Sequence, residues 1–172
     1  LFAFGFKKDS EKLKAYVANR YQVAAENVAL YGSGRTALSE AIKYFVRPGD
    51  KVAITALTCF AVVEAVRSAG CEPVYLDVNL ENLHFDAKNL EKACAKHPEI
   101  KAVIVQNNLA YPCDIANIES VVKKYNLALI EDLAHCVGMD YLDGREAGMV
   151  GDAAIMSFGK GKSLDLISGG LL

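Results

Sequence analysis

No apolar run in this chain of 172 residues is long enough to cross a bilayer. The five cysteines, Cys59, Cys71, Cys94, Cys113 and Cys136, include no close pair. An odd number without a C-x-x-C spacing argues against a disulfide framework and against structural zinc. Buried or partly buried free thiols in a reducing cytoplasm are the expectation. The three histidines, His84, His97 and His135, lack metal-ligand spacing, so no metal site is expected. His97 precedes Pro98 in a polar turn and reads as exposed. A net charge of -2 gives no electrostatic reason to expect nucleic acid or an anionic membrane as partner. Nothing looks like a helix-turn-helix or a basic patch. Internal repeats and low-complexity linkers are absent. Leu1 to Lys8 puts its charges after a very short apolar stretch, the wrong order for a secretory leader. Without a starting Met, that end reads as cut or processed.

The length fits one domain. Apolar residues make up 52% of the chain, so a sizeable core is possible. Helix and strand signals alternate. Helical spacing covers Asp9 to Tyr21, with Asp9 or Ser10 placed to cap. Further helices are expected over Thr36 to Phe45, Cys59 to Ser68, Asp86 to Lys96 and Ile115 to Tyr125. Strands are expected over Asn27 to Tyr31, Lys51 to Ala56, Pro73 to Asp77, Lys101 to Gln106, Leu127 to Glu131 and Asp152 to Phe158. Gly70 reads as a helix stop, and residues 138 to 151 as turns. Such strand–helix units predict an α/β fold, a mostly parallel sheet with helices on both faces. Ligands in such sheets sit beyond the carboxyl ends of the strands. Ile167 to Leu172 breaks off as an apolar segment begins, so the chain reads as one truncated domain.

Three motifs fall at strand ends. Tyr31-Gly32-Ser33-Gly34-Arg35-Thr36-Ala37-Leu38 leaves a strand and opens a helix, where free N–H groups and the dipole favour an anion. Three readings compete: a dinucleotide site, a helix start with no ligand, and a single phosphate monoester. The second strand ends without the acid a dinucleotide ribose needs, and a phosphate monoester fits best. Gly159-Lys160-Gly161-Lys162-Ser163 contains Gly-Lys-Ser. A Walker A loop needs glycine where Met156 stands, so that reading is rejected. A solvated surface lysine is the alternative. The third motif is Glu131-Asp132, closing an apolar strand. A buried carboxylate is costly unless paired, and a helix cap or salt bridge would also explain it. His135 could bond a ring hydroxyl or simply pack.

Together, an acid closing one strand and a lysine past the next suit a pyridine aldehyde cofactor. The amine forms a Schiff base, and the carboxylate keeps the ring nitrogen protonated.

At these residues the chain resembles the DegT/DnrJ/EryC1/StrS aminotransferases, sugar aminotransferases of the pyridoxal-phosphate fold type I class. The likeness runs from about Leu30 to Gly170. It rests on Ser33 to Leu38, on Cys71 to Val78, on Glu131 to His135, and on Gly151-Asp152, Ser157-Phe158, Lys162 and Gly169-Gly170 in that order. The resemblance implies a three-layer large domain holding pyridoxal 5'-phosphate, with the smaller C-terminal domain absent. It implies Lys162 as the Schiff-base lysine, not Lys160, and Asp132 on the pyridinium nitrogen. His135 would sit near the ring hydroxyl, and Ser157, Gly34, Arg35 and Thr36 at the phosphate. Phe60 stands near the place of a stacking aromatic, one residue out of step because Cys59 follows Thr58. Asn107 stands where many members have histidine. Leu133 replaces a small residue beside the key aspartate.

The implied activity moves an amino group from an amino acid, glutamate or glutamine, to a keto-sugar, typically nucleotide-linked. The implied assembly is a cytoplasmic homodimer with sites at the subunit interface, and a truncated piece is expected to have little turnover alone. The alternative is a non-catalytic relative acting as a binding or regulatory module, and Cys59 in the stacking region is the feature that favours it.

Overall fold

The computed structural model describes residues 2–166 and 168–172. The apolar start at Leu1 and the onset of the terminal segment at Ile167 lie outside the described residues. The elements in chain order are α1 (Phe2–Arg20), β1 (Leu30–Tyr31), α2 (Gly34–Phe45), β2 (Lys51–Thr55), α3 (Phe60–Ser68) and β3 (Glu72–Leu76). They continue with α4 (Ala87–Lys96), β4 (Ile100–Gln106), α5 (Ile115–Tyr125), β5 (Ala128–Asp132), β6 (Ala153–Ser157) and β7 (Gly170–Leu171). The sheet runs β1-β7-β6-β5-β4-β2-β3. Strands β3, β2, β4, β5 and β6 are parallel, and β7 is antiparallel to both β6 and β1.

Strand alternation divides the core between the two faces. Val52, Ile54, Ala102, Ile104, Ile130 and Ile155 pack with the buried sides of α2 and α3. Ala53, Val103, Val105, Leu129 and Met156 pack with residues of α1, α4 and α5. Both faces of β4 are therefore buried, as its unbroken apolar run predicts.

Neighbouring β2 and β4 lead in opposite directions. The chain leaves β2 through α3 to edge strand β3, and leaves β4 through α5 to β5. That divergence opens a crevice at the carboxyl ends of the two strands.

Caps set several boundaries. Ser33, Asp86 and Asp114 each accept an N–H from their own helix's first turn. Gly70 takes φ 77° after α3, where a side chain would be strained. Several expectations change. Helix α1 starts at Phe2, so Asp9 and Ser10 lie inside it and neither caps it. Asn27 belongs to a 3-10 turn, leaving β1 only two residues. Gly170 and Leu171 form β7, which pairs with β6. His97 is partly buried, because it ends α4. Four of the cysteines are buried, whereas Cys59 is exposed.

Candidate active site

The crevice holds about 420 Å³ and is lined from four parallel strands at their carboxyl ends. Leu57, Thr58 and Cys59 follow β2, Gln106 ends β4, Asp132 ends β5 and Ser157 ends β6. Gly34 and Arg35 of α2, His135, and Lys162 from the turn after β6 also line it. Convergence of the three motifs on one crevice thus follows from parallel strands sharing an end.

Asp132 is 6% exposed. One carboxylate oxygen accepts the Ala134 N–H at 3.0 Å, and the other accepts the Gln106 side-chain amide at 3.0 Å. Burial pushes its carboxyl above the ordinary range. The Ala134 N–H, the Lys162 ammonium and the Gln106 amide pull the other way. Among the described residues, Asp132 caps no helix and forms no salt bridge.

Glu131, one residue earlier, is fully buried and turned elsewhere. It accepts the Tyr141 hydroxyl at 2.7 Å and the N–H groups of Gly148, Val150 and Gly151 at 2.7, 2.8 and 2.6 Å. Burial first, then Glu131, pushes the Tyr141 phenol up, so it stays protonated and donates. These bonds pin the 138–151 turns beneath the strand that presents Asp132.

Lys162 Nζ lies 3.0 Å from His135 Nε2. Burial lowers the His135 pKa first, and the Lys162 ammonium lowers it further. A neutral imidazole with its proton on Nδ1 leaves Nε2 free to accept from Lys162. Lys162 lines the crevice and Lys160 does not.

Gly34 makes room for Ser157. A Cβ at Gly34 would lie 2.6 Å from Ser157 Cβ and 2.9 Å from its hydroxyl. The start of α2 and the end of β6 therefore meet in a small polar cradle beside a helix N-terminus. Arg35 lines the crevice too, and its guanidinium pairs with Glu64 of α3 at 2.5 Å. Such an exposed pair is held weakly and is easily exchanged for a phosphate.

Three implied residues do not line the crevice. The Thr36 N–H and hydroxyl are both engaged by Ser33 Oγ, at 3.2 and 3.0 Å. Phe60 is 65% exposed, and its neighbours Cys59 and Ala61 line the crevice in its place. The cause is the one-residue offset, since each helical residue turns about 100°. Asn107 is buried on the far side. It donates to the Tyr141 hydroxyl at 3.1 Å and accepts the Cys113 N–H at 3.0 Å.

Gln106 was not foreseen as a lining residue. Its signal in the sequence was one of position, a polar residue closing an apolar strand. Thr58 likewise enters the crevice, and its hydroxyl donates to Gln106 Oε1 at 2.6 Å.

The family model of the DegT/DnrJ/EryC1/StrS aminotransferases matches residues 8–172. The chain belongs to that family. Among curated relatives, it is 32% identical over 158 residues to the GDP-perosamine synthase of Caulobacter vibrioides, covering 91% of this chain and 40% of that protein. It is 32% identical over 155 residues to a protein of Geobacillus stearothermophilus named Pleiotropic regulatory protein, covering 90% of this chain and 40% of the relative. The crystal structure of the aminotransferase TlmJ from Streptoalloteichus hindustanus superposes with a TM-score of 0.84 at 28% identity, over 94% of this chain and 43% of that one. The chain thus spans about two fifths of the length of the curated relatives it matches.

Proposed function

We propose that this chain forms the large, cofactor-binding domain of a pyridoxal-phosphate-dependent aminotransferase. The donor would be an amino acid, glutamate or glutamine, and the acceptor a keto-sugar, nucleotide-linked. The observation that carries the reading is Lys162 Nζ, 3.0 Å from His135 Nε2 in the crevice that Asp132 also lines.

The residues suit the cofactor on three counts. An amine, a buried carboxylate and a tight Gly34–Ser157 cradle all line one cavity. When bound, pyridoxal phosphate supplies an aldehyde that carries the amino group and a ring that accepts electron density. Lys162 would hold the aldehyde end. Asp132 would hold a proton on the ring nitrogen, and His135 would sit beside the ring hydroxyl. Ser157, Gly34 and Arg35 would take the phosphate, with Arg35 turning from Glu64. With its amine free, Lys162 Nζ would be the group placed to carry a proton from and back to the substrate carbon. The GDP-perosamine synthase relative supports a nucleotide-linked sugar as the acceptor class. A homodimer in the cytoplasm is part of the same reading.

A second reading is a regulatory relative with a degenerate site. Two observations favour it: Phe60 is exposed and does not line the crevice, and one relative is named as a regulator.

The test is to incubate the purified protein with pyridoxal phosphate, reduce with borohydride and map the adduct by mass spectrometry. The expected result is an adduct on Lys162, lost in Lys162→Ala and kept in Lys160→Ala. Labelling of Lys160 would refute the assignment of the lysine. A protein that takes no specific label would favour the regulatory reading.

A further inference from the structure

Gln106 joins three walls of the crevice. It ends β4, is 7% exposed, and touches residues after β2 and at the end of β5. Its orientation follows from chemistry. A carboxylate only accepts, so the amide nitrogen must face Asp132, and the amide oxygen is left to take the Thr58 hydroxyl proton. The result is a directed chain: Thr58 Oγ1 donates to Gln106 Oε1 at 2.6 Å, and Gln106 Nε2 donates to Asp132 Oδ2 at 3.0 Å.

This chain crosses the carboxyl ends of neighbouring strands β2 and β4, whose onward connections lead in opposite directions. Among the described residues, the other hydrogen bond to the Asp132 carboxylate is the Ala134 N–H on its other oxygen, at 3.0 Å. Rotation about its Cβ–Cγ bond is thus stopped by a side chain that is itself held at both ends.

We propose that Gln106 is a positioning residue: with Thr58 it sets the orientation of the Asp132 carboxylate and keeps that carboxylate anionic toward the ring nitrogen of the bound cofactor. The inference rests on the pyridoxal-phosphate reading above. Gln106 bonds to no reacting atom and acts only through Asp132. An N–H donated to an anion is among the stronger hydrogen bonds, so its loss is felt at the carboxylate. Without it, Asp132 favours its proton more and pairs less well with the ring nitrogen. The ring then carries less positive charge, and the Lys162 nitrogen holds its own proton to higher pH. A merely packed amide would change stability alone.

The experiment compares wild type, Gln106→Leu and Thr58→Val, each loaded with pyridoxal phosphate and checked for folding by circular dichroism. Three quantities are read: borohydride labelling of Lys162, the dissociation constant by fluorescence quenching, and the pH titration of the bound cofactor's absorption band. In Gln106→Leu, Lys162 labelling should persist, binding should weaken about tenfold, and the titration midpoint should rise by about one pH unit. Thr58→Val, which leaves the amide in place but unanchored, should move both in the same direction by less. A folded Gln106→Leu that binds and titrates as wild type overturns the inference. Should Gln106→Leu fail to fold, Thr58→Val decides, and an unmoved midpoint there overturns it as well. Failure to label Lys162 in wild type overturns the cofactor reading, and this inference with it. Labelled wild type with unmoved variants overturns this inference alone.

Discussion

Adjacent carboxylates Glu131 and Asp132 meet different fates because strand alternation sends them apart. Glu131 gains four donors and becomes a structural anchor. Asp132 keeps a crevice-facing position at a cost, since burial raises its pKa in the folded state. The sign of the linkage follows. A carboxyl whose folded pKa is raised contributes stability that is present below the unfolded value, about 3.9. That contribution is lost as pH rises through the raised folded value. Asp132→Asn removes the titration, so its stability relative to wild type should improve as pH climbs from acid to neutral. Urea denaturation of both proteins without cofactor, across that range, checks this. A difference that stays constant with pH would refute it. The same substitution should impair cofactor binding, a stability–function trade.

At the scale of elements, the site is a junction between the start of α2, the end of β6 and the added strand β7. Gly170 is as tightly placed as Gly34, for a Cβ there would lie 2.4 Å from the Gly34 nitrogen. Gly34→Ala should therefore force the helix away from Ser157 and cost about 1–3 kcal/mol, in the range of overpacking. It should also weaken cofactor binding, because the cradle widens. Chemical denaturation and a binding titration measure the two effects. Normal stability with normal binding would mean that the junction yields without cost. Local signals located most elements here. Helix α5 spans the residues its apolar spacing marks out, with Asp114 as cap. The ends that differed depend on distant contacts. Arg20 at the end of α1 bonds Glu146 of the far turns at 2.7 Å, and β7 has strand form only beside β6 and β1.

Over the whole molecule, several large apolar side chains are exposed, two of them, Leu57 and Leu109, in the lining of the crevice. Leu57, Phe60, Leu109 and Tyr111 are 45%, 65%, 68% and 55% exposed. Leu109 and Ala110 both hold positive φ, at 56° and 58°, a strained pair of the kind found at functional edges. Exposed apolar groups of this kind fit the proposed homodimer, since clustered ones mark contact surfaces. Sedimentation velocity should find a dimer at micromolar concentration, and Leu109→Asp should shift it toward monomer. A wild-type monomer at those concentrations would refute the assembly.

The residue types settled much of this protein in advance. Apolar runs of strand length alternating with helical spacing dictate a parallel sheet with helices on both faces. The ordered acid, histidine, serine and lysine at strand ends dictate where chemistry belongs. Those signals are local, or they follow from all parallel strands sharing one end. Three-dimensional packing decided which side chains enter the crevice. Asn107 and Gln106 are neighbours in β4's exit, and only the turn of the backbone there sends one to Tyr141 and the other to Asp132. Phe60 was displaced by a one-residue offset whose effect appears only once α3 is docked. Orientation of this kind depends on contacts between residues far apart in the chain, and no spacing along the sequence records them.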